Sequence, residues 1–418
     1  MQAAVCTEMP VSVSPASVSI LSNSCISFEN LDIVVTDRAS GLQENWEELE
    51  SLSPVSIYQT YQWVNACLET LEVEEDYQTM IISGSFQGKT YFILPLVLEG
   101  KFIKRLRWVG GKHTNLSMGL FHPELIKNSG TKNFEALFKR IGSMIPGVSF
   151  AKLCCQPRQW GGQPNPILKL PFQDSVHKAY YLNLEQGFDA VLKAGNGKRK
   201  RKKFRSQVRM AEKVGGYRLL VVSTPSEALK ILDIFRKQKA LRFKKQGIRD
   251  MFSATESRRF FNKLAVAPVS EQSACLQLFA LEIGGEIRAV FGGGRFGSHL
   301  SGYFSSIADD ELNHISPGEM LLHLLIEYCA ENGYKSLDLG CGDERYKRSW
   351  CQEQIILSDV ILPLSKRALP LVYGYRAWCV VKRVIRSNDP IWKFIRKLRA
   401  KKAEFRDVIT SVSSSSSS

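Results

Sequence analysis

The chain has 418 residues, of which 44% are hydrophobic and 10% aromatic, so it is long and apolar enough to form two or three globular domains. This composition excludes a wholly disordered protein. The formal net charge is +15, and the excess lies mainly in two segments. Residues 193–213 contain ten basic residues and one acid, and residues 366–407 contain thirteen basic residues and three acids. A protein that coats nucleic acid would spread its charge more widely, so two local anion contacts fit the pattern better.

The cysteine pattern, the N-terminal segment and the length of the apolar stretches together indicate in which compartment the protein is found. The ten cysteines include no C-x-x-C pair, and several lie in apolar runs, as buried thiols do in a reducing compartment. Residues 1–20 lack the charged start and the apolar core of a secretion signal. The best candidate for a membrane span, Ala368–Val381, is too short and contains Arg376. We therefore expect a cytoplasmic protein, and we predict no metal site because no His, Cys and carboxylate residues have metal-ligand spacing.

The first half of the chain begins with a Ser-, Val- and Pro-rich segment of about 30 residues, which we expect to be flexible. The hydrophobic pattern then predicts a β-hairpin, a third strand, a helix and a fourth strand. These predicted elements are Thr79–Phe86 and Thr90–Leu98 around Gly88, then Leu106–Val109, Phe134–Ile145 and Phe150–Cys155.

The second half repeats this order of elements after a Gly- and Pro-rich bridge at Trp160–Pro171. Gly284-Gly285 is a strong signal for a two-residue hairpin turn. Pro317 is typical of a first helical position, and Asn332-Gly333 of a helix end. The predicted strands are Leu276–Ile283, Glu286–Arg295, His299–Ser305 and Tyr334–Leu339, and the predicted helix is Gly318–Glu331.

Two halves with one order of elements predict an α+β fold of tandem domains, each a mixed, mostly antiparallel sheet flanked by helices. Internal duplication is therefore plausible, and the first copy lacks the Pro-Gly helix opening. The predicted division is a flexible segment at 1–30, domains at 31–175 and 176–365, a basic amphipathic tail at 366–410 and a disordered Ser tail at 411–418.

The two basic segments have both structural and functional interpretations. Lys198–Arg205 begins a predicted helix that continues to Val214, and a solvated helix face is the simplest explanation. The functional alternative is a contact with an acidic carrier protein, anionic lipid or RNA. Ile385–Val408 alternates apolar and basic residues, which is typical of a helix lying on an anionic membrane surface, although packing on the domain is equally compatible. The inner face of the membrane is therefore a predicted peripheral location.

Several motifs carry a resemblance to a known family. The run from Asp338 to Trp350, with Gly342-Asp343-Glu344 at its centre, resembles the strand-end signature of CelD-like acyltransferases of the GNAT superfamily, which are related to Fem-type aminoacyl transferases. Ser316-Pro317-Gly318 is similar to their helix opening. Tyr61-Gln62-Trp63 and the run Leu106–Gly110 are similar to their first half. The resemblance covers about residues 31–362.

This resemblance implies transfer of an acyl group from a thioester, most simply acetyl-CoA or a longer acyl-CoA, to an amine or hydroxyl. Ser316, Pro317 and Gly318 would then bind the phosphates of the donor. Pro317 leaves backbone N–H groups near Gly318 and Glu319 available, and a helix N-terminus attracts anions. An ordinary helix start capped by Ser316 is the alternative. The carboxylate of Glu319 must point away from the phosphates.

An acyl transfer needs a base for the nucleophile and an acid for the departing thiolate. Asp338 is our first candidate for the base, followed by Asp343 and Glu344, because all three stand where a strand ends. Tyr346 is a further catalytic candidate, and Lys347 a donor-binding one. A salt bridge within the loop is the alternative for Asp343 and Glu344.

Two further candidate catalytic residues, Tyr303 and His314, lie outside the run from Asp338 to Trp350. Tyr303, on the preceding strand, is a candidate for protonating the thiolate or lining the acyl pocket, with core packing as the commoner outcome. His314 is a candidate base near Ser316, although a loop histidine is more often solvated.

Three functional hypotheses follow. The first is an acyl-CoA-dependent N- or O-acyltransferase of cell-envelope, polysaccharide or lipid metabolism, with acyl carrier protein or a membrane surface as a further partner. The second is a Fem-like transferase that uses aminoacyl-tRNA, for which the basic run would be essential. The third is a non-catalytic scaffold at the membrane.

Overall fold

The computed structural model describes residues 26–73, 76–127, 129–247, 250–351 and 353–387. Most of the predicted lead-in at 1–30, the predicted tail helix beyond residue 387 and the Ser tail lie outside the described residues. Among the described helices, none is long and apolar enough to cross a membrane.

The first sheet has the strand order β1-β2-β3-β4-β6-β17-β9, with β5 beside β3. Strands β7 and β8 form a separate short ribbon. The bounds in this part are β1 (Asp32–Thr36), β2 (Tyr77–Phe86), β3 (Lys89–Glu99), β4 (Lys104–Trp108), β5 (Leu120–Phe121), β6 (Val148–Pro157), β7 (Gln159–Trp160), β8 (Gln163–Pro164) and β9 (Phe172–Asp174), followed much later by β17 (Leu357–Pro363).

The second sheet has the order β11-β12-β13-β14-β15-β10-β16. Its strands are β10 (Ala179–Asn183), β11 (Tyr217–Val221), β12 (Ser273–Ile283), β13 (Glu286–Phe296), β14 (His299–Ile307), β15 (Ser336–Cys341) and β16 (Glu353–Ile355).

Helices cover both sheets. Those of the first half are α1 (Gln43–Leu52), α2 (Tyr61–Thr70), α3 (Pro123–Lys127) and α4 (Thr131–Met144). Those of the second half are α5 (Gly187–Ala194), α6 (Gly197–Glu212), α7 (Pro225–Gln246), α8 (Thr255–Ala265), α9 (Pro317–Glu331), α10 (Arg345–Trp350) and α11 (Leu369–Ser387). We call the first sheet with α1–α4 and α11 the first unit, and the second sheet with α5–α10 the second unit.

The two units share one topology, which confirms the predicted α+β fold with two mixed sheets. In each unit a hairpin leads to a third antiparallel strand, and a strand parallel to the third follows after a helix. The predicted Gly284-Gly285 turn is confirmed, since Ile283 pairs with Glu286 and both glycines have positive φ. Gln87 and Gly88 form the equivalent turn of the first unit, also with positive φ.

One strand from the end of the second half completes the first sheet. Strand β17 pairs with β6 of the first sheet, although the predicted boundaries assign residues 176–365 to the second domain. Strand β10 pairs with β15 of the second sheet, and the short strands β9 and β16 pair with β17 and β10 respectively. Two chain segments therefore cross between the sheets. The predicted division remains a guide to chain order, but residues 357–363 belong to the first sheet.

A shared hydrophobic core joins the units. Trp63 of α2 packs edge-on against Phe260 of α8 with ring centroids 5.5 Å apart. Tyr58, which precedes α2, lies 5.4 Å from the ring of Tyr303 on β14. Because these contacts bury large aromatic surfaces, the two units cannot separate without exposing them to water.

Candidate active site

The predicted donor loop lies beside the carboxyl end of β14. Helix α9 starts at Pro317, and a Cβ atom on Gly318 would come within 2.4 Å of Ile307 Cδ1, so glycine lets the helix start approach the strand closely. Ser316 has φ 60° and ψ 61°, a left-handed conformation that turns the chain sharply into the helix. The sequence correctly predicts the helix start, and the fold places it at the strand end.

Backbone groups at this helix start are partly used by the protein itself. The Ser316 carbonyl accepts hydrogen bonds from the N–H groups of Glu319 at 3.0 Å and Met320 at 3.2 Å. It also accepts one from Gln207 Nε2 of α6 at 3.1 Å. The expectation of a free N–H at Glu319 is therefore wrong, because the tight turn at Ser316 directs its own carbonyl at that group. The Ser316 side chain forms no capping hydrogen bond.

The basic helix α6 packs against this helix start. The ammonium group of Lys203 hydrogen-bonds the Glu319 carboxylate, which holds that carboxylate beside α6. Lys200 Nζ donates to the Ser349 carbonyl at 2.6 Å and lies 4.7 Å from the centre of the Trp350 ring. Part of the basic run is thus a structural contact between α6, α9 and α10.

The remaining cations of α6 face water. Arg199 lies one turn before Lys203, on nearly the same side of the helix. Within the described part of the chain, no ion pair is formed by the exposed residues Lys198, Arg199, Lys202, Arg205 and Arg209. This side of the helix start is therefore electropositive.

Strands β14 and β15 run parallel and then diverge. Their pairing ends at Ser301 and Asp338, and each strand continues separately beyond that point. The side chain of Asn115, from the first unit, bridges the gap. Its Nδ2 donates to the Gly302 carbonyl at 3.0 Å and its Oδ1 accepts from the Cys341 N–H at 3.3 Å. The carboxamide thus replaces the peptide group that would otherwise pair the strands.

Asp338, the first candidate for the base, is fully buried, with 0% of its surface exposed. Its Oδ1 accepts from the Gly340 N–H at 2.8 Å, and its Oδ2 lies 2.9 Å from His299 Nε2. His299 Nδ1 lies 2.7 Å from the Ser336 hydroxyl. The buried Asp338 carboxylate therefore orients His299 and the end of β15. An acceptor molecule cannot reach this carboxylate in the present conformation.

The three predicted residues Asp343, Glu344 and Lys347 form ion pairs close to the end of β15. Asp343 accepts a hydrogen bond from the Tyr180 hydroxyl, which is the main reason why the pKa of this carboxyl is lowered. Glu344 lies 3.0 Å from Lys347 and remains largely exposed. Lys347 is buried, and its Nζ donates to the carbonyls of Cys341 at 2.8 Å and Gly340 at 3.3 Å. These contacts direct its ammonium at the strand end and away from any external phosphate.

The two predicted tyrosines have different surroundings. Tyr346 as a whole is 40% exposed, whereas its hydroxyl is buried and hydrogen-bonds Ser305 of β14. Withdrawal of the hydroxyl from water, together with the charge of Glu344, raises the pKa of the phenol. The Tyr303 hydroxyl is buried without a hydrogen-bond partner among the described residues. A Cβ on Gly294 would come within 2.0 Å of this hydroxyl, so the glycine makes room for the tyrosine. Tyr346 is thus the accessible one of the pair.

One ionisable residue near this loop has no signal in the sequence. Lys239 of α7 lies over the Phe243 ring, with 5.1 Å from its Nζ to the ring centre. Burial and the like charge of Arg242 lower its pKa to about 8, while Glu344 and Asp250 oppose the shift. The sequence does not distinguish Lys239 from the other lysines of α7. Only its packing against the aromatic rings in the folded protein does so. His314, by contrast, stays on the exposed surface with Nδ1 2.7 Å from the Glu311 carbonyl.

A cavity of about 640 Å³ lies between the units, on the other side of Asn115. The described residues that line it include Asn115 and Cys341, but none of the five predicted catalytic side chains. Cys155, which also lines it, hydrogen-bonds Cys341, and this contact together with burial raises the pKa of the Cys155 thiol. His113 lies here too, with Nε2 3.2 Å from the Ser257 hydroxyl. The volume is within the range of small-molecule sites.

Residues 198–348 match the family model of the acetyltransferase (GNAT) domain. The second unit therefore has the GNAT acyltransferase fold. The matched segment is a little over a third of the chain and includes α6, the start of α9 and the loop from Asp338 to Lys347. No curated protein sequence matches the chain.

Two solved structures resemble most of this chain, across both the first and the second unit. The crystal structure of FemX has a TM-score of 0.55 and 12% identity, with coverage of 82% of this chain and 100% of FemX. The C-terminal domain of a putative lysylphosphatidylglycerol synthetase from Agrobacterium fabrum has a TM-score of 0.50 and 12% identity, with coverage of 81% and 95%. At 12% identity, the similarity to these two structures shows a shared fold and nothing about activity. The narrower CelD-like assignment receives no support from these comparisons and stays a prediction.

The described residues contain no group of three His, Cys, Asp or Glu side chains placed to hold a metal ion.

Proposed function

We propose that this protein is an N- or O-acyltransferase that moves an acyl group from acetyl-CoA or a longer acyl-CoA to an amine or hydroxyl acceptor. The observation that carries the proposal is the start of α9 at the diverging ends of β14 and β15, within the matched GNAT segment. An acceptor from cell-envelope, polysaccharide or lipid metabolism is our expectation from the resemblance to CelD-like enzymes.

The donor phosphates would lie between α9 and α6. Gly318 supplies the close helix start, and Arg199 supplies an exposed cation on its side. Lys203 would be the second cation, and it would exchange its present partner, the Glu319 carboxylate, for a phosphate oxygen of the donor. We transfer the donor-binding role from Lys347 to this pair because the ammonium of Lys347 is buried against strand carbonyls. Ser316 and Pro317 shape the turn.

The catalytic groups would come from the loop after β15. We propose Glu344 as the base, because Asp338 is enclosed and, of the two exposed loop carboxylates, Asp343 is made a weak base by its lowered pKa. Glu344 would take the proton of the attacking amine or hydroxyl as the nucleophile adds to the thioester carbonyl. Tyr346 keeps its proton because of its raised pKa and would donate it to the departing thiolate.

The acceptor would approach from the cavity between the units. Asn115 and Cys341 line this cavity and also hold the diverging strand ends, so the cavity leads toward the place where the acyl group would be presented. Asn115 occupies the gap itself, and a donor that inserts between the strands has to displace its carboxamide.

Calorimetric titration of the full chain with acetyl-CoA and longer acyl-CoAs tests the donor assignment. We expect saturable binding that weakens about tenfold in Lys203→Met, since one charge-assisted contact contributes about 1.5 kcal/mol. Lys230→Met on exposed α7 is the matched control and should bind as the unaltered chain does. If no acyl-CoA binds, the donor assignment is wrong, and if it binds without turnover of any amine or hydroxyl the scaffold hypothesis is favoured.

A Fem-like transferase that uses aminoacyl-tRNA is the second candidate. The exposed cations of α6 favour it, since they form no ion pairs among the described residues and a polyanion would neutralise them. Replacing Lys198, Lys202 and Arg205 by Gln tests this hypothesis. Loss of tRNA binding with unchanged acyl-CoA binding would favour the second candidate, whereas no tRNA binding by the unaltered chain would exclude it.

A further inference from the structure

The cavity between the units contains a buried carboxylate that the proposed chemistry does not use. Asp359 of β17 lines this cavity and is 6% exposed. Its Oδ1 accepts a hydrogen bond from the Cys155 N–H at 3.0 Å. Among the described residues, no lysine, arginine or histidine forms an ion pair with it. A carboxylate withdrawn from water is costly unless a cation compensates its charge, so a missing cation at a cavity wall indicates a ligand.

The other carboxylates of this cavity have cations or water. Glu72 and Glu99 each lie 2.6 Å from a guanidinium nitrogen of Arg107. Glu256, near the start of α8, is exposed to solvent. Of the carboxylates that line the cavity in the described part of the chain, Asp359 alone is both buried and without a cation.

The nearest ionisable neighbours of Asp359 are thiols. Burial and the charge of Asp359 raise the pKa of the Cys154 thiol, which therefore stays neutral. Lys152 also lines the cavity, but its ammonium lies over the Tyr375 ring, with 4.8 Å from Nζ to the ring centre. The negative charge of Asp359 is thus available to a cation that enters the cavity.

Asp359 is set back from the gap between β14 and β15. Its hydrogen bond is to the backbone of Cys155, whose thiol in turn hydrogen-bonds Cys341. The Cys341 N–H donates to Asn115, which occupies the gap. Because two residues stand between Asp359 and the gap, this carboxylate is not placed to take a proton from a nucleophile that reacts there. It is placed to hold a different group of the same molecule, and a cavity of about 640 Å³ has room for both groups.

We propose that Asp359 is a specificity residue that pairs with a protonated amino group of the acceptor, and that this amino group is not the one that is acylated. The acceptor is then a diamine, an amino alcohol or another molecule that carries an ammonium group in addition to its nucleophile. An ammonium group supplies the positive charge and the hydrogen-bond donors that the buried carboxylate lacks. This inference rests on the proposed function for the role of the reacting group, whereas the ammonium site itself is measurable without the donor.

Calorimetric titration of the full chain without acyl-CoA tests the ammonium site. The probes are two pairs whose members differ by one amino group, 1,4-diaminobutane with 1-aminobutane and lysine with norleucine. We expect a diamino compound to bind at least about tenfold more tightly than its partner, because it adds one charge-assisted contact. Asp359→Asn keeps an oxygen for the Cys155 N–H and should abolish this preference. Glu256→Gln removes a charge from the same cavity and, as the matched control, should retain it.

Release of free thiol from acetyl-CoA gives a second, kinetic readout. Asp359→Asn should raise the KM for the diamino acceptor at least about tenfold while kcat changes less than about twofold, because the lost contact is equally strong in the ground state and the transition state. The KM for 1-aminobutane should not change. Circular dichroism of both variants verifies folding.

Equal binding of both members of each pair by the unaltered chain, or binding of neither, would overturn the proposal, and this result requires no variant to fold. A folded Asp359→Asn variant that keeps the preference would also overturn it. Equal losses for both members of a pair would assign a purely structural role to Asp359. A preference for diamino compounds without any acyl transfer would uphold the ammonium site and contradict the proposed function, whereas acyl transfer without the preference would do the reverse.

Discussion

At the scale of single residues, burial and hydrogen-bond partners separate the candidate acids, whereas residue type does not. Asp338, Asp343 and Glu344 stand within seven positions of one another, and the sequence offers no reason to prefer an exposed one over a buried one. Asp338 turns inward to His299, Asp343 pairs with Tyr180, and Glu344 remains open to the solvent. The fold therefore adds two properties to the sequence pattern, the burial of Asp338 and the hydrogen bond that Asp343 accepts from Tyr180.

Replacing Asp338 should affect stability first. Asp338→Asn is expected to lower the free energy of unfolding by about 1–3 kcal/mol, since His299 loses a buried charged acceptor. Urea denaturation measures the effect. Asp309→Asn, on an exposed loop, is the control and should have a much smaller effect. An unchanged midpoint together with a large loss of turnover would instead support Asp338 as the base.

Replacing Glu344 should affect the chemistry alone. Glu344→Gln is expected to lower kcat with a productive acceptor by about a hundredfold, the usual contribution of a general base, while acyl-CoA binding stays unchanged. Steady-state kinetics and calorimetry separate the two effects. The exposed Glu353→Gln on β16 serves as the control. Full turnover by Glu344→Gln would rule out this carboxylate as the base.

The buried histidines predict a loss of stability in acid. Burial lowers the pKa of His113 to about 4, from a usual value of 6.5, so the folded state binds fewer protons than the unfolded state between these values. By linkage, stability falls as the pH decreases through this window, by up to about 3 kcal/mol. His323 is shifted to about 4 for the same reason. His113→Gln should therefore reduce the acid-dependent decrease by roughly half, as measured by urea midpoints at pH 6.5 and pH 4, and an unchanged decrease would contradict the assignment.

At the scale of elements, the start of α9 combines two backbone requirements. Ser316 adopts φ 60°, and Gly318 permits the contact with Ile307. The turn directs the Ser316 carbonyl at Glu319 and Gln207, which joins α6 to α9. The helix start is thus fixed from two sides before any ligand binds.

Substitutions at Ser316 test this turn. Ser316→Gly should preserve or slightly increase stability, because glycine adopts positive φ freely, whereas Ser316→Val should cost about 1–2 kcal/mol. Thermal unfolding of both variants measures the difference. Equal effects of the two substitutions would show that the left-handed conformation is not maintained in solution.

At the scale of the whole molecule, the return of β17 to the first sheet makes the units interdependent. Strand β17 belongs to the first sheet but follows the strands of the second sheet in the chain, so the first sheet is complete only after the second unit has been formed. The shared aromatic core between α2 and α8 adds to this connection. We therefore expect the described units to unfold together.

A core substitution in β17 tests this interdependence. Ile361 is 1% exposed, and Ile361→Ala should cost about 3 kcal/mol because it leaves a cavity in the first sheet. If the units are coupled, intrinsic fluorescence and hydrogen exchange in the second unit should report the same shifted midpoint. Leu371→Ala, on an exposed part of α11, is the control. Two separate transitions would show that the units unfold independently.

The sequence alone predicted most of the local structure. Gly284-Gly285 identified the hairpin, Pro317 the start of α9, and the alternating apolar runs the strands of both units, because turn geometry and periodicity are local properties. It also located the GNAT resemblance and the basic helix α6. Only the tertiary structure decided that β17 completes the first sheet, that Lys347 and Asp338 are buried, and that Asn115 closes the gap between β14 and β15. Each of these depends on residues far apart in the chain, and a local pattern carries no information about which distant partner a strand or side chain will meet.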